Sequence, residues 1–99
     1  MNISVKKEAN VCTLIIEDRI DTLTAPELDE AFQENAGDCD KMIFDLSGVD
    51  YISSSGLRVL ISAHRRMEQT GGLVLKGVTS DVYSILKITG LEKRLRIED

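Results

Sequence analysis

The chain has 99 residues, 42% hydrophobic and 29% charged, with a formal net charge of −5. These values are ordinary for one soluble domain, residues 1–99, and so short a chain leaves little core volume in which to enclose a deep active site. The basic residues are scattered along the chain without aromatic interleaving, which argues against nucleic-acid binding. Cys12 and Cys39 lack CxxC spacing, the first residues lack an apolar h-region, and no apolar run reaches the roughly 18 residues of a spanning helix. The expectation is a cytoplasmic protein with reduced thiols and no direct membrane insertion.

In chain order, Ile3 and Val5 pair across Glu8-Ala9-Asn10 with the run Val11 to Ile16, as in a hairpin. Thr24-Ala25-Pro26-Glu27 offers a capping box in which Thr24 bonds the Glu27 backbone and Glu27 reaches back. A helix follows, with Ala25, Leu28, Ala31, Phe32 and Ala36 at helical spacing and Gly37 as its stop. Lys41 to Leu46 is apolar nearly throughout, as for a strand buried on both faces. The spacing predicts a second helix over about 55–69, with Leu57, Leu60, Ile61, His64 and Met67 on its core stripe and Arg58 on the solvent side. Leu73-Val74-Leu75 makes a short buried strand. Thr79 or Ser80 caps a third helix ending at Gly90, and residues 95–97 supply a last strand. The order ββαβαβαβ predicts an α/β fold, a mixed sheet with helices packed on it and right-handed crossovers between parallel strands.

The most informative segment is Ser53-Ser54-Ser55-Gly56, between a strand and the second helix. A helix start presents unpaired N–H groups and partial positive charge, so a hydroxyl there can cap the helix or carry a phosphate. The residues alone leave both roles open. Gly56 permits another backbone to approach closely.

Asp50-Tyr51-Ile52-Ser53-Ser54-Ser55-Gly56-Leu57-Arg58-Val59-Leu60 resembles the signature of the STAS family, in which "Asp/Ser-Ser-Ser/Thr/Ala-Gly-Leu" links a strand to the next helix. Asp18-Arg19-Ile20-Asp21 resembles the family's "Gly-Glu-Leu-Asp", and Gly71-Gly72 and Ile88-Thr89-Gly90-Leu91 fit in register. The resemblance covers essentially the whole chain and points to anti-sigma-factor antagonists within the family. It implies that Ser54 is phosphorylated by an anti-sigma factor that is itself a serine kinase. The unmodified protein binds that kinase and frees a sigma factor, and a PP2C-type phosphatase resets the switch. It also implies a partner-binding surface including Asp21, Ser53, Ser55, Gly56, Leu57 and Arg58. Ser53 stands where many antagonists have aspartate, and Arg58 where many have glycine. The alternative implied by the same resemblance is a scaffold subunit of a bacterial transporter of the lipid ABC type, or of another signalling assembly.

Enzymatic chemistry is not expected, and neither a cofactor nor a metal is. His64, the only histidine, lies ten residues beyond Ser54, about 15 Å along a helix at 1.5 Å per residue, too far to activate that serine. The nucleophile elbow G-x-S-x-G, the P-loop and clustered metal ligands are all missing from the sequence.

Overall fold

The computed structural model describes residues 1–98. Strand β1 (Asn2–Glu8) pairs antiparallel with β2 (Val11–Glu17), Ile3 opposite Ile16 and Lys7 opposite Cys12. The two-residue turn between them holds Ala9 at φ 53°, the left-handed conformation that tight hairpins require. Helix α1 (Ala25–Ala36), β3 (Lys41–Gly48), α2 (Ser54–Met67), β4 (Gly72–Lys76), α3 (Ser80–Ile88) and β5 (Ile97–Glu98) follow, with one 3₁₀ turn at Leu91–Lys93. The observed order is ββαβαβαβ, in a five-stranded sheet ordered β1-β2-β3-β4-β5 with β2 to β5 parallel.

Because the parallel strands advance in one direction across the sheet, right-handed crossovers place every helix on the same face. The buried side chains agree. Cys12, Leu14 and Ile16 of β2, Met42, Phe44 and Leu46 of β3, and Leu73 and Leu75 of β4 form one cluster with Leu28 and Phe32 of α1, Leu60, Ala63 and Met67 of α2, and Val82 and Leu86 of α3. Phe32 meets Phe44 edge-on with ring centroids 6.1 Å apart. On the opposite face, Val11, Thr13, Ile15, Ile43 and Asp45 are only half-buried.

Five local expectations are corrected. The last strand is Ile97–Glu98 rather than residues 95–97, because Leu95 turns into the core just before it. The third strand is not buried on both faces: Met42, Phe44 and Leu46 alternate with half-buried Lys41, Ile43 and Asp45, because no helix covers the second face. The second helix begins at Ser54 and ends at Met67. Ala63, not His64, takes the core position on it, and His64 is half-buried beside Glu68. The Thr24 side chain does not cap α1; its hydroxyl is engaged with the Asp21 N–H and the Arg19 carbonyl.

Leu57 is buried in the first turn of α2 and Arg58 is exposed. Leu57→Ala is expected to cost about 2 to 3 kcal/mol, the lower part of the range for such truncations because Leu57 keeps some residual exposure. Arg58→Ala, with no buried contact to lose, should stay within about 0.5 kcal/mol. Denaturant melts giving the reverse order would mean that the helix is rotated.

Both cysteines are free and buried. Their thiols converge on the Asn35 carbonyl, Cys39 Sγ at 3.6 Å and Cys12 Sγ at 4.0 Å. Burial, reinforced by Cys12, pushes the Cys39 thiol up to about 12, so almost no thiolate exists near neutral pH and nucleophilic attack is slow. The native protein should therefore show the same intact mass with and without reductant. A mass lower by two hydrogens in unreduced monomer contradicts this.

Candidate functional site

Three connections meet at the carboxyl ends of the parallel strands: 18–24 after β2, 49–53 after β3 and 77–79 after β4. Loops gathered at that edge of an open α/β sheet are the usual place for a site. The first two are zipped together by backbone. Ile20 N–H donates to the Tyr51 carbonyl at 2.9 Å, Ser53 N–H donates to the Ile20 carbonyl at 2.8 Å, and Ile20 and Ile52 form an isolated parallel bridge. The third is tied on by Thr79, whose hydroxyl donates to the Val49 carbonyl at 2.8 Å while its oxygen caps α3 by accepting from Val82 N–H.

The serine run divides its labour. Ser53 is the N-cap of α2: its extended backbone (φ −87°, ψ 173°) aims the hydroxyl oxygen back to accept from Gly56 N–H at 3.2 Å. Ser54, the first helical residue, is exposed, whereas Ser53 and Ser55 are half-buried. Only Ser54 thus offers an open hydroxyl at the positive end of the helix dipole. No acidic residue stands in the first turn of α2, and Arg58 is exposed one turn further on. Gly56 and Leu57 are buried, so they shape the backbone of this helix start without presenting a side chain to solvent. A Cβ on Gly56 would come within 2.6 Å of both Ile20 Cγ2 and Ile52 Cγ1, and the absence of that atom is what lets α2 press on the zipped loops.

Asp21 is the organiser of the first loop. Its Oδ1 accepts from Leu23 N–H at 2.9 Å and Thr24 N–H at 3.0 Å. Thr24 Oγ1 accepts in turn from Asp21 N–H at 2.8 Å, and its hydroxyl has the Arg19 carbonyl at 2.8 Å and Asp21 Oδ1 at 3.2 Å as alternative acceptors. Hydrogen bonds from the Thr24 backbone, then from Leu23 and the Thr24 hydroxyl, hold the Asp21 carboxyl below its ordinary range, and Arg19 adds to this. A depressed folded-state value gives stability that is fully present above the unfolded value, near 4, and is lost as pH falls through the lower folded value. Asp21→Ala should remove that part of the acid dependence and loosen loop 18–24. Proton exchange at the Leu23 and Thr24 amides measures it, and unchanged protection would refute the assignment.

Around these residues lies a surface that pattern reading did not single out. Leu23 is 84% exposed and Tyr51 40% exposed. The Arg19 guanidinium sits 4.8 Å from the Tyr51 ring centroid and its Nε is 3.5 Å from Asp21 Oδ2. The available signal was Leu23 lying off the helical stripe. The Arg19–Tyr51 stack spans two loops and has no local signature. Among the described residues no group of three or more His, Cys, Asp and Glu side chains forms a metal-binding cluster, and no helix is long and apolar enough to cross a membrane.

The family model described as "STAS domain" matches residues 2–99. The chain belongs to the STAS domain family. It is 30% identical over all of its length to the anti-sigma-B factor antagonist of Listeria monocytogenes, spanning 91% of that protein. It is also 30% identical, over 98% of the chain and 80% of the relative, to an anti-sigma-F factor antagonist of Mycobacterium tuberculosis. Among solved STAS-type structures, an anti-sigma factor antagonist from Mycobacterium paratuberculosis superposes with a TM-score of 0.87 at 24% identity, covering 97% of this chain and 83% of that one. That likeness establishes the fold.

Proposed function

We propose that this STAS domain is an anti-sigma factor antagonist switched by phosphorylation of Ser54. It binds an anti-sigma factor that is a serine kinase, so releasing a sigma factor, and a PP2C-type phosphatase restores the binding form. The domain acts as a binding module rather than a catalyst, and works in the cytoplasm. The observation that carries the reading is the exposure of Ser54 alone among the three serines, at the start of a helix whose N-cap is already filled by Ser53. A phosphate there gains the helix dipole without displacing a structural hydrogen bond. The sequence likeness to antagonists over the full chain supports the same reading.

Asp21, Ser53, Ser55 and Arg58 belong to the docking surface in this reading, with Gly56 and Leu57 shaping it from beneath. Affinity capture from the native cell, followed by incubation with ATP and phosphosite mapping, tests it. The expected result is a kinase-type anti-sigma factor and phosphate on Ser54. Stable co-purification with membrane transporter components, without phosphate incorporation, would instead establish the scaffold role.

A further inference from the structure

Two adjoining cavities of about 380 and 350 Å³ share His64, Glu68 and Arg94. They lie at the C-terminal end of α2, about 20 Å from Ser54 at 1.5 Å per residue, and so form a place separate from the phosphorylation loop. Arg65 lines one and Arg96 the other. The lining thus gathers three guanidinium groups against one carboxylate, in a chain whose formal net charge is −5.

The local fold explains how they come together. Gly90, at φ 77°, ends α3 and starts the 3₁₀ turn, and Leu91 and Leu95 plug into the core on either side of it. Anchored this way, the chain turns Arg94 and Arg96 outward around Leu95. Arg96 Nη1 then lies 2.9 Å from where a Gly72 side chain would begin, and Gly72 itself sits at φ 95°, so the guanidinium occupies space that any other residue would fill. His64 Nε2 is held by Glu68, and its Nδ1 is buried without a partner. Glu68 is thereby already engaged by His64. Arg65 lies beside the negative pole of α2, which offsets part of its charge. Among the described residues neither Arg94 nor Arg96 has a carboxylate within 4.0 Å.

We propose that Arg94 and Arg96 form a binding site for a dianionic oxyanion, a phosphate or the phosphate group of a small phosphomonoester. Guanidinium forks match phosphate oxygens bidentately, and both arginines line the cavity of about 350 Å³, a size that takes a small molecule.

The test is titration of the ¹⁵N-labelled protein with inorganic phosphate, at constant ionic strength held with sodium chloride. Saturable shifts confined to residues 64–73 and 92–96 are expected. The double variant R94Q/R96Q should bind phosphate at least tenfold more weakly with an unchanged spectrum elsewhere, while Lys6→Gln, on β1, should bind as the parent does. Flotation with phosphatidic acid vesicles, whose headgroup is a phosphomonoester, distinguishes the sources: the protein is expected to stay unbound, and flotation lost in R94Q/R96Q would assign the site to a lipid headgroup instead. Shifts that do not saturate, that spread over the surface, or that persist in R94Q/R96Q overturn the site.

Discussion

Gly56→Val is expected to destabilise the domain by at least about 3 kcal/mol, and Gly56→Ala by about 2. The added Cβ arrives 2.6 Å from Ile20 Cγ2 and Ile52 Cγ1, and those isoleucines are 0% and 2% exposed, with no free volume into which to retreat. Overpacking of this kind costs about 1 to 3 kcal/mol for small additions. The better helix propensity of alanine returns only about 1, so the clash decides the sign. Valine adds two methyl groups at the same point and stiffens χ1. Chemical denaturation of the three proteins measures the series. If Gly56→Ala is as stable as the parent, the helix start can slide away from the loops, and the close approach is not what fixes Ser54.

Phosphorylation of Ser54 should weaken binding to the captured anti-sigma factor at least tenfold, or about 1.4 kcal/mol, without lowering the melting temperature of the free domain. The phosphate adds about −1.5 to −2 charge. In the free protein that charge faces solvent and the α2 N-terminus, where backbone dipoles favour it. In the complex it must be desolvated against a partner, and the cost of an imperfectly paired buried charge runs to several kcal/mol. Ser54→Ala should abolish phosphate incorporation while Ser53→Ala and Ser55→Ala leave it measurable, although Ser53→Ala also removes the α2 cap, worth about 1 kcal/mol. Calorimetric titration of modified and unmodified protein settles it. Equal affinities would eliminate the switch, and a large fall in melting temperature would show that phosphate acts by breaking the fold.

Periodicity and turn chemistry made most of the architecture legible, because those signals are local. The hairpin, the three helices and the Gly71-Gly72 break were each readable from residues a few positions apart. What escaped depended on distant partners. Thr24 and Glu27 satisfy the spacing of a capping box, yet the Thr24 hydroxyl is engaged by the Asp21 N–H and the Arg19 carbonyl, and the Thr24 N–H that Glu27 would reach back to is taken by the Asp21 carboxylate. His64 shares the apolar periodicity of α2, but the neighbouring Ala63 is the residue that fits beneath the sheet-facing layer. The apolar run of β3 reads as doubly buried only until the sheet order shows that all crossovers fall on one face. At the candidate site, the motif picked out the serine run, of which the structure leaves Ser54 exposed. Arg19, Leu23 and Tyr51 were not picked out, since the backbone zipper between Ile20 and Ile52 alone makes them neighbours.

The direction of β1 has a practical bearing. Running against its neighbour, it begins with Asn2 opposite Glu17, while β5 ends with Glu98 beside Lys76. Both extremities of the described chain therefore emerge at the same pole as Ser54. An affinity tag or fluorescent fusion attached to either one shares space with whatever docks there. The Ala9–Asn10 turn lies at the far pole, which makes it the place to graft a reporter that leaves the loops open to a visitor.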